Sequence, residues 1–168
     1  MPEEVNIWTF LQGVVGEIVG GVLAATIAFL LWKRLFPMPN LSGEWEFSTN
    51  TENSTYNPYS NLWPTYRAHI LHDGTSLRGT GEKFSERAEG KDPYEFESDK
   101  RVHISIDGSI QRRGFRSFDV NVHQHEVGRI RETSWSHELK VTNNDTLEGR
   151  FRSTSADQRG RVKWRRLP

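Results

Sequence analysis

The sequence predicts an all-β domain, an eight-stranded antiparallel up-and-down barrel, preceded by one transmembrane helix. Three observations carry this reading. One apolar run, Val14 to Trp32, holds a single charge, Glu17, and ends at Lys33-Arg34. After residue 36 no segment repeats with a helical period. From Leu41 onward, stretches of strand length alternate apolar and polar residues between turn signals. Closing such strands into a ring removes the sheet edges and can enclose one small ligand. A two-sheet sandwich is the alternative layout.

The anchor comes first. Ile7 to Trp32 is 26 residues, about 39 Å of helix at ~1.5 Å per residue. A bilayer core of about 30 Å is crossed by that length with some tilt. Trp8 and Trp32 stand near the two ends, where amphipathic rings prefer the interface. A cleaved signal peptide would start basic and end on small residues. This segment starts Glu3-Glu4 and ends bulky and basic. The Lys33-Arg34 pair orients it with the N-terminus outside and the following domain in the cytoplasm. Gly16, Gly20, Ala24 and Ala28 recur every four residues and form a small-residue stripe that permits close helix approach in lipid. Glu17 lies beside the stripe. An intramembrane carboxylate is costly and faces a partner or water, so Glu17 is expected at a helix–helix contact, with snorkelling to the outer interface as the alternative.

The chain divides into residues 1–36 as the transmembrane helix, 37–40 as a linker, and 41–168 as the soluble domain. Pro37-Met38-Pro39-Asn40 is short and stiff, and its prolines stop the helix. The 22 Lys/Arg and 22 Asp/Glu balance to zero, which argues against a general DNA or RNA coat. The basic residues gather late, with ten Lys/Arg against five Asp/Glu over residues 129–168. No cysteine is present, so disulfides and thiolate chemistry are excluded.

The strands follow in order. Leu41–Thr49 puts Leu41, Gly43, Trp45 and Phe47 on one face. Asn50–Ser60 reads as a polar loop. Pro64–His72 and Thr75–Glu86 flank Asp73-Gly74, a tight-hairpin signal. Arg87–Lys100 reads as a charged loop. Val102, Ile104 and Ile106 alternate up to Asp107-Gly108, which is expected to turn the chain. Phe115–His125 carries Phe118, Val120 and Val122 on one face. Gly128–Val141 groups Trp135, His137, Leu139 and Val141, and Asn143-Asn144-Asp145 reads as a turn. Leu147–Thr154 and Gly160–Leu167 complete eight strands.

Two short motifs carry resemblances. Gly43-x-Trp45, with Arg165 or Arg166 in the last strand, resembles the calycin group of small ligand-binding barrels, in which a late basic residue stacks over the first-strand Trp by cation–π packing. More specifically, the chain resembles the transmembrane β-barrel effectors of bacterial cyclic-oligonucleotide-based anti-phage signalling (CBASS) and the related Panoptes effectors. The resemblance rests on Leu41-Ser-Gly-Glu-Trp45, Gly128, Leu139-x-Val141, Leu147–Thr154 and Gly160–Arg165, and on the layout of membrane segment, short linker and barrel. It implies a barrel that binds a cyclic dinucleotide or oligonucleotide made by a partner nucleotidyltransferase. It also implies helices that assemble as a homo-oligomer and damage the bacterial inner membrane. In the Panoptes arrangement the nucleotide restrains the effector instead. This chain departs from the family's pattern in having one clear span rather than two.

A cyclic dinucleotide needs cations for two phosphates and aromatic faces for two bases. Arg67, Arg78, Arg129 and Arg131 are the candidate cations, Tyr66 and Trp135 the stacking faces, and Thr80 a hydroxyl contact. Tyr66 and Arg67 are neighbours in one strand, so they face opposite sides. A membrane-tethered calycin that binds an apolar small molecule is the competing class, and the barrel interior discriminates: inward Arg and aromatic residues favour a nucleotide, uniformly aliphatic walls a lipid. Catalysis finds no motif: there is no nucleophile elbow and no phosphate loop. His123-x-His125 reads as a solvated strand face, and no cofactor is expected.

Overall fold

The computed structural model describes residues 7–56, 59–128 and 132–168. It divides into two compact units, Met1–Met38 and Pro39–Pro168. In the first, helix α1 runs from Ile7 to Leu35, and Gly13–Trp32 is long and apolar enough to cross a membrane. Pro37 sets its end. The last turn closes with Phe36 N–H donating to the Trp32 carbonyl at 3.0 Å and with the two rings 4.9 Å apart.

The second unit is a closed barrel. Its strands are β1 (Gly43–Asn53), β2 (Leu62–Asp73), β3 (Ser76–Ala88), β4 (Tyr94–Glu95), β5 (Val102–Arg112), β6 (Phe118–Val127), β7 (Glu132–Asn143), β8 (Thr146–Ser153) and β9 (Arg159–Arg166). Each long strand pairs antiparallel with the next. β9 returns to β1 and closes the ring, which rules out the sandwich. The two-residue β4 pairs with the end of β3 and lies outside the eight-strand ring. Alternation decides which residues enter the interior: Trp45 and Phe47, Ala68 and Ile70, Ile104 and Ile106, Val120 and Val122, Leu139, Phe151, and Val162 and Trp164 are all buried.

The tight turns at Gly74-Thr75 and Asn144-Asp145 fall where the sequence indicates them. Asp107-Gly108 does not turn. β5 runs on to Arg112, and the turn lies at residues 113–117, where Arg113 N–H donates to the Ser117 carbonyl at 2.9 Å. Gly108 is an inward position opposite Val122. A Cβ there would sit 2.5 Å from the Asn121 carbonyl oxygen, so the glycine lets neighbouring strands close tightly. β1 likewise extends past Thr49 into the expected loop, because Thr49 and Thr51 continue the inward series although both are polar.

One pole of the barrel is sealed. Leu41 and Trp45 plug it, leaving a void of about 10 Å³. Trp45 Nε1–H donates to the Leu41 carbonyl at 2.8 Å. Arg166 lies over the Trp45 ring at 5.0 Å and donates to the Asn40 carbonyl. Of the two late arginines, therefore, Arg166 stacks and Arg165 points outward. Above this plug Phe47 is sandwiched between Trp164, at 4.0 Å, and Tyr66, at 4.9 Å. His137 closes the group edge-on to Phe47 at 5.7 Å and accepts a hydrogen bond from Trp164 Nε1 at 3.3 Å.

Two predictions follow from this interior. Gly149 faces Leu139 across the β7–β8 pair, and an added Cβ would run into the Glu138 carbonyl oxygen and the Leu139 Cα. Gly149→Ala should therefore destabilise the barrel by about 1–3 kcal/mol, the usual cost of overpacking, read from urea unfolding. His137 is fully buried, and burial, assisted by the positive field of His123, holds its imidazole pKa down to about 3. The unfolded chain then binds one more proton at this site between about pH 3 and 6.5. Stability is intact above that window and falls as pH drops through it, by about 1.4 kcal/mol per unit. Wild type should lose about 2 kcal/mol more than His137→Gln between roughly pH 7 and pH 5, measured by urea unfolding at each pH.

Candidate ligand site at the open pole

At the pole opposite Leu41 the interior side chains become smaller and more polar, and the barrel opens. A cavity of about 420 Å³ lies there, among Tyr66, Lys83, Arg101, Glu126, Thr133, Trp135 and Gln158 and their neighbours. That volume lies within the ~300–1,000 Å³ range of small-ligand sites. The up-and-down topology brings these residues together. The open ends of β2, β3, β5, β6 and β7 supply most of the wall, and Ser155 and Gln158, from the segment between β8 and β9, complete it.

The floor is aromatic. The Tyr66 and Trp135 rings meet edge-on at 6.4 Å. Tyr66 O–H donates to Glu126 Oε2 at 3.1 Å. Burial first, and the Glu126 carboxylate second, hold the phenol pKa well above its usual value, so Tyr66 stays a protonated donor. Beside it, Trp135 Nε1 is buried and has no hydrogen-bond partner among the described residues, and neither does either amide atom of Gln124. Gln124 and Trp135 are directly paired across β6 and β7, both facing inward. A buried polar atom without a partner costs about 1–3 kcal/mol. Of the two, Trp135 lines the cavity, and Gln124 lies beneath it close enough to Tyr66 to act on its phenol.

The wall is charged. The Lys83 ammonium sits 2.9 Å from Glu86 and over the Phe96 ring at 5.2 Å. Arg101 meets Glu82 at 2.5 Å and the Phe96 carbonyl at 3.3 Å. Lys100 and His103 also border the cavity. Lys83, Lys100 and Arg101 are partly exposed and each is paired to a carboxylate, an arrangement of small net energy that an incoming anion could exchange.

The residues that the sequence nominates for ligand contact divide into three groups. Tyr66 and Trp135 line the cavity. Arg67, Arg78 and Thr80 point out of the barrel wall, because each occupies an outward position of its strand. Arg67 is tied to Glu46 at 3.1 Å and lies over Phe84 at 4.3 Å. Arg129 and Arg131 lie outside the described residues. Lys83, Arg101, His103, Gln124 and Glu126 were not nominated. For Gln124 and Glu126 the signal was available, since both continue the inward series of Phe118, Val120 and Val122. On the outer wall His125 Nδ1 lies 3.2 Å from Ser134 Oγ. Among the described residues no group of three His, Asp or Glu side chains is placed to hold a metal ion. On α1, a Cβ added at Gly16 or Gly20 meets nothing within 4 Å, and Glu17, Ala24 and Ala28 are exposed, so the stripe is open along its length.

No protein-family model and no curated protein matches the chain. Among solved structures it is similar to a redesigned β-barrel, at 11% identity over 76% of this chain and 92% of the other, with a TM-score of 0.47. It is also similar to a de novo designed fluorescence-activating β-barrel, at 17% identity over 76% and 94% of the two chains, with a TM-score of 0.46.

Proposed function

We propose that this protein is a membrane-anchored, non-enzymatic receptor whose barrel binds a cyclic dinucleotide at the open pole. On this reading α1 crosses the bacterial inner membrane with the barrel in the cytoplasm. It self-associates along the Gly16–Ala28 stripe, with Glu17 at the contact, to disrupt the bilayer. The protein is then an anti-phage effector of the CBASS or Panoptes type, served by a nucleotidyltransferase that makes its ligand. The observation that carries the ligand class is the pairing of an aromatic floor, Tyr66 and Trp135, with cations at the wall, Lys83 and Arg101, in one cavity. The rings offer base stacking and the cations offer phosphate contacts. Gln124, Glu126 and the Trp135 N–H add donors and acceptors for base edges. A lipid-binding barrel would present aliphatic walls there.

Calorimetric titration of the protein with a panel of cyclic di- and trinucleotides tests this. One site per barrel is expected, weakening with salt. Trp135→Ala should cost about 1–3 kcal/mol of affinity if the indole stacks on a base. Lys83→Ala should cost about 1.5–3 kcal/mol if its ammonium meets a phosphate. Arg78→Ala, on the outer wall, should leave affinity unchanged. Thermal midpoints without ligand separate lost contacts from lost stability. No heat with any nucleotide, together with uptake of a fatty-acid probe, would assign the cavity to an apolar ligand.

The anchor is tested separately. Gly20→Leu with Ala24→Leu should reduce crosslinked oligomers and membrane leakage while the barrel stays folded, because leucines hold the helices apart. Crosslinking of the double variant at the wild-type level would remove this face from the assembly.

A further inference from the structure

We infer that the β5–β6 hairpin tip, Arg112-Arg113-Gly114-Phe115-Arg116, is a lipid-contacting plug that seats the sealed pole of the barrel on an anionic membrane surface. The inference rests on the reading of α1 as a membrane anchor and is independent of what the cavity binds.

The geometry is specific to one pole. The chain enters the barrel at Leu41, whose N–H donates to His72 Nδ1 at 3.2 Å beside the β2–β3 turn. The β5–β6 and β7–β8 turns lie at the same pole, since Ile110 N–H donates to the Thr75 carbonyl at 2.9 Å and Arg166 N–H to the Asp145 carbonyl at 2.9 Å. β5 continues two residues past this contact with the β2–β3 turn, so its hairpin overhangs that turn. At the tip Phe115 is 64% exposed, and Leu71, near the end of β2, is exposed at the same pole.

A phenylalanine held in water at a loop tip among three arginines needs an explanation, because a solvated turn favours small polar residues. The tip is also ordered internally. Arg112 Nη1–H donates to the Phe115 carbonyl at 2.9 Å, and the same guanidinium lies over Phe118 at 4.7 Å. Arg113 is paired with Asp119 at 2.5 Å, and Arg116 adds a further exposed positive charge to the tip. Residues 37–40 tie this pole to α1 with a reach of about 14 Å, which keeps it at high local concentration beside the bilayer. An aromatic ring flanked by arginines suits that interface, where the ring enters the headgroup layer and the guanidinium groups meet lipid phosphate.

The sequence has no cysteine, so single-cysteine labelling is direct. Full-length Gly114→Cys and Asp92→Cys, the second at the opposite pole, are labelled with an environment-sensitive dye. They are reconstituted in phosphatidylcholine vesicles with and without phosphatidylglycerol. Spin-labelled lipid should quench the dye at 114 and not at 92, most strongly with phosphatidylglycerol present. In the Gly114→Cys background, Arg116→Gln should lower the docked-to-undocked ratio about five-fold, and Phe115→Ser should lower it as well. Equal quenching at the two positions in vesicles that carry the protein on flotation would overturn the plug and leave the anchor standing. Loss of flotation would overturn both. A dye response to single-stranded RNA in place of lipid would reassign the tip to nucleic acid.

Discussion

A ring of eight strands encloses only enough space for side chains, so the same interior cannot be packed core and ligand cavity at one level. This protein resolves the conflict along the barrel axis. Trp45, Phe47 and Trp164 fill the sealed half, the largest side chains placed where the chain enters. Thr49, Thr51, Thr133 and Ser153 occupy inward positions toward the other pole. The change in side-chain volume creates the cavity without any break in the strand pairing that surrounds it. The cavity is therefore walled mostly by strands that remain hydrogen-bonded to their neighbours.

The boundary between the two halves is polar. His137 and Gln124 are both fully buried, at the height where aromatic packing gives way to the cavity. His137 is held neutral by burial and shares one ring nitrogen with Trp164. Gln124 keeps both amide atoms without a partner. A buried polar atom left without a partner costs about 1–3 kcal/mol, so this polar layer is held against a stability cost.

Most of the fold was legible because alternation is a local signal and every β-hairpin is local. Trp45 and its late arginine were legible as a pair, and the structure selects Arg166 over Arg165 because strand parity turns only one of them inward. Two features hid from local reading. Asp107-Gly108 has turn chemistry but serves close strand packing, a demand set by the neighbouring Asn121 carbonyl. Arg67, Arg78 and Thr80 have ligand chemistry but the wrong parity, and the register that decides this is fixed by pairing with β1 and β5. The cavity cations Lys83 and Arg101 become neighbours only when β3 and the segment before β5 close on each other. That proximity depends on the β3–β5 register, which sets Lys83 opposite Val102, and no single strand encodes it.

The seam of the barrel has a consequence for how the protein is made. β1 meets β9, so Trp45 finds Arg166 only across the whole length of the domain. Non-local pairing of this kind forms slowly. On the ribosome α1 emerges before the barrel, and β1 well before β9. The apolar segment is thus available to the insertion machinery while the ring is still open. For that interval the exposed edge of β1 has no partner on one side and is open to pairing with other nascent chains. Early capture of α1 by a bilayer would separate such chains, so a membrane-inserted α1 would also act as a folding aid for the barrel.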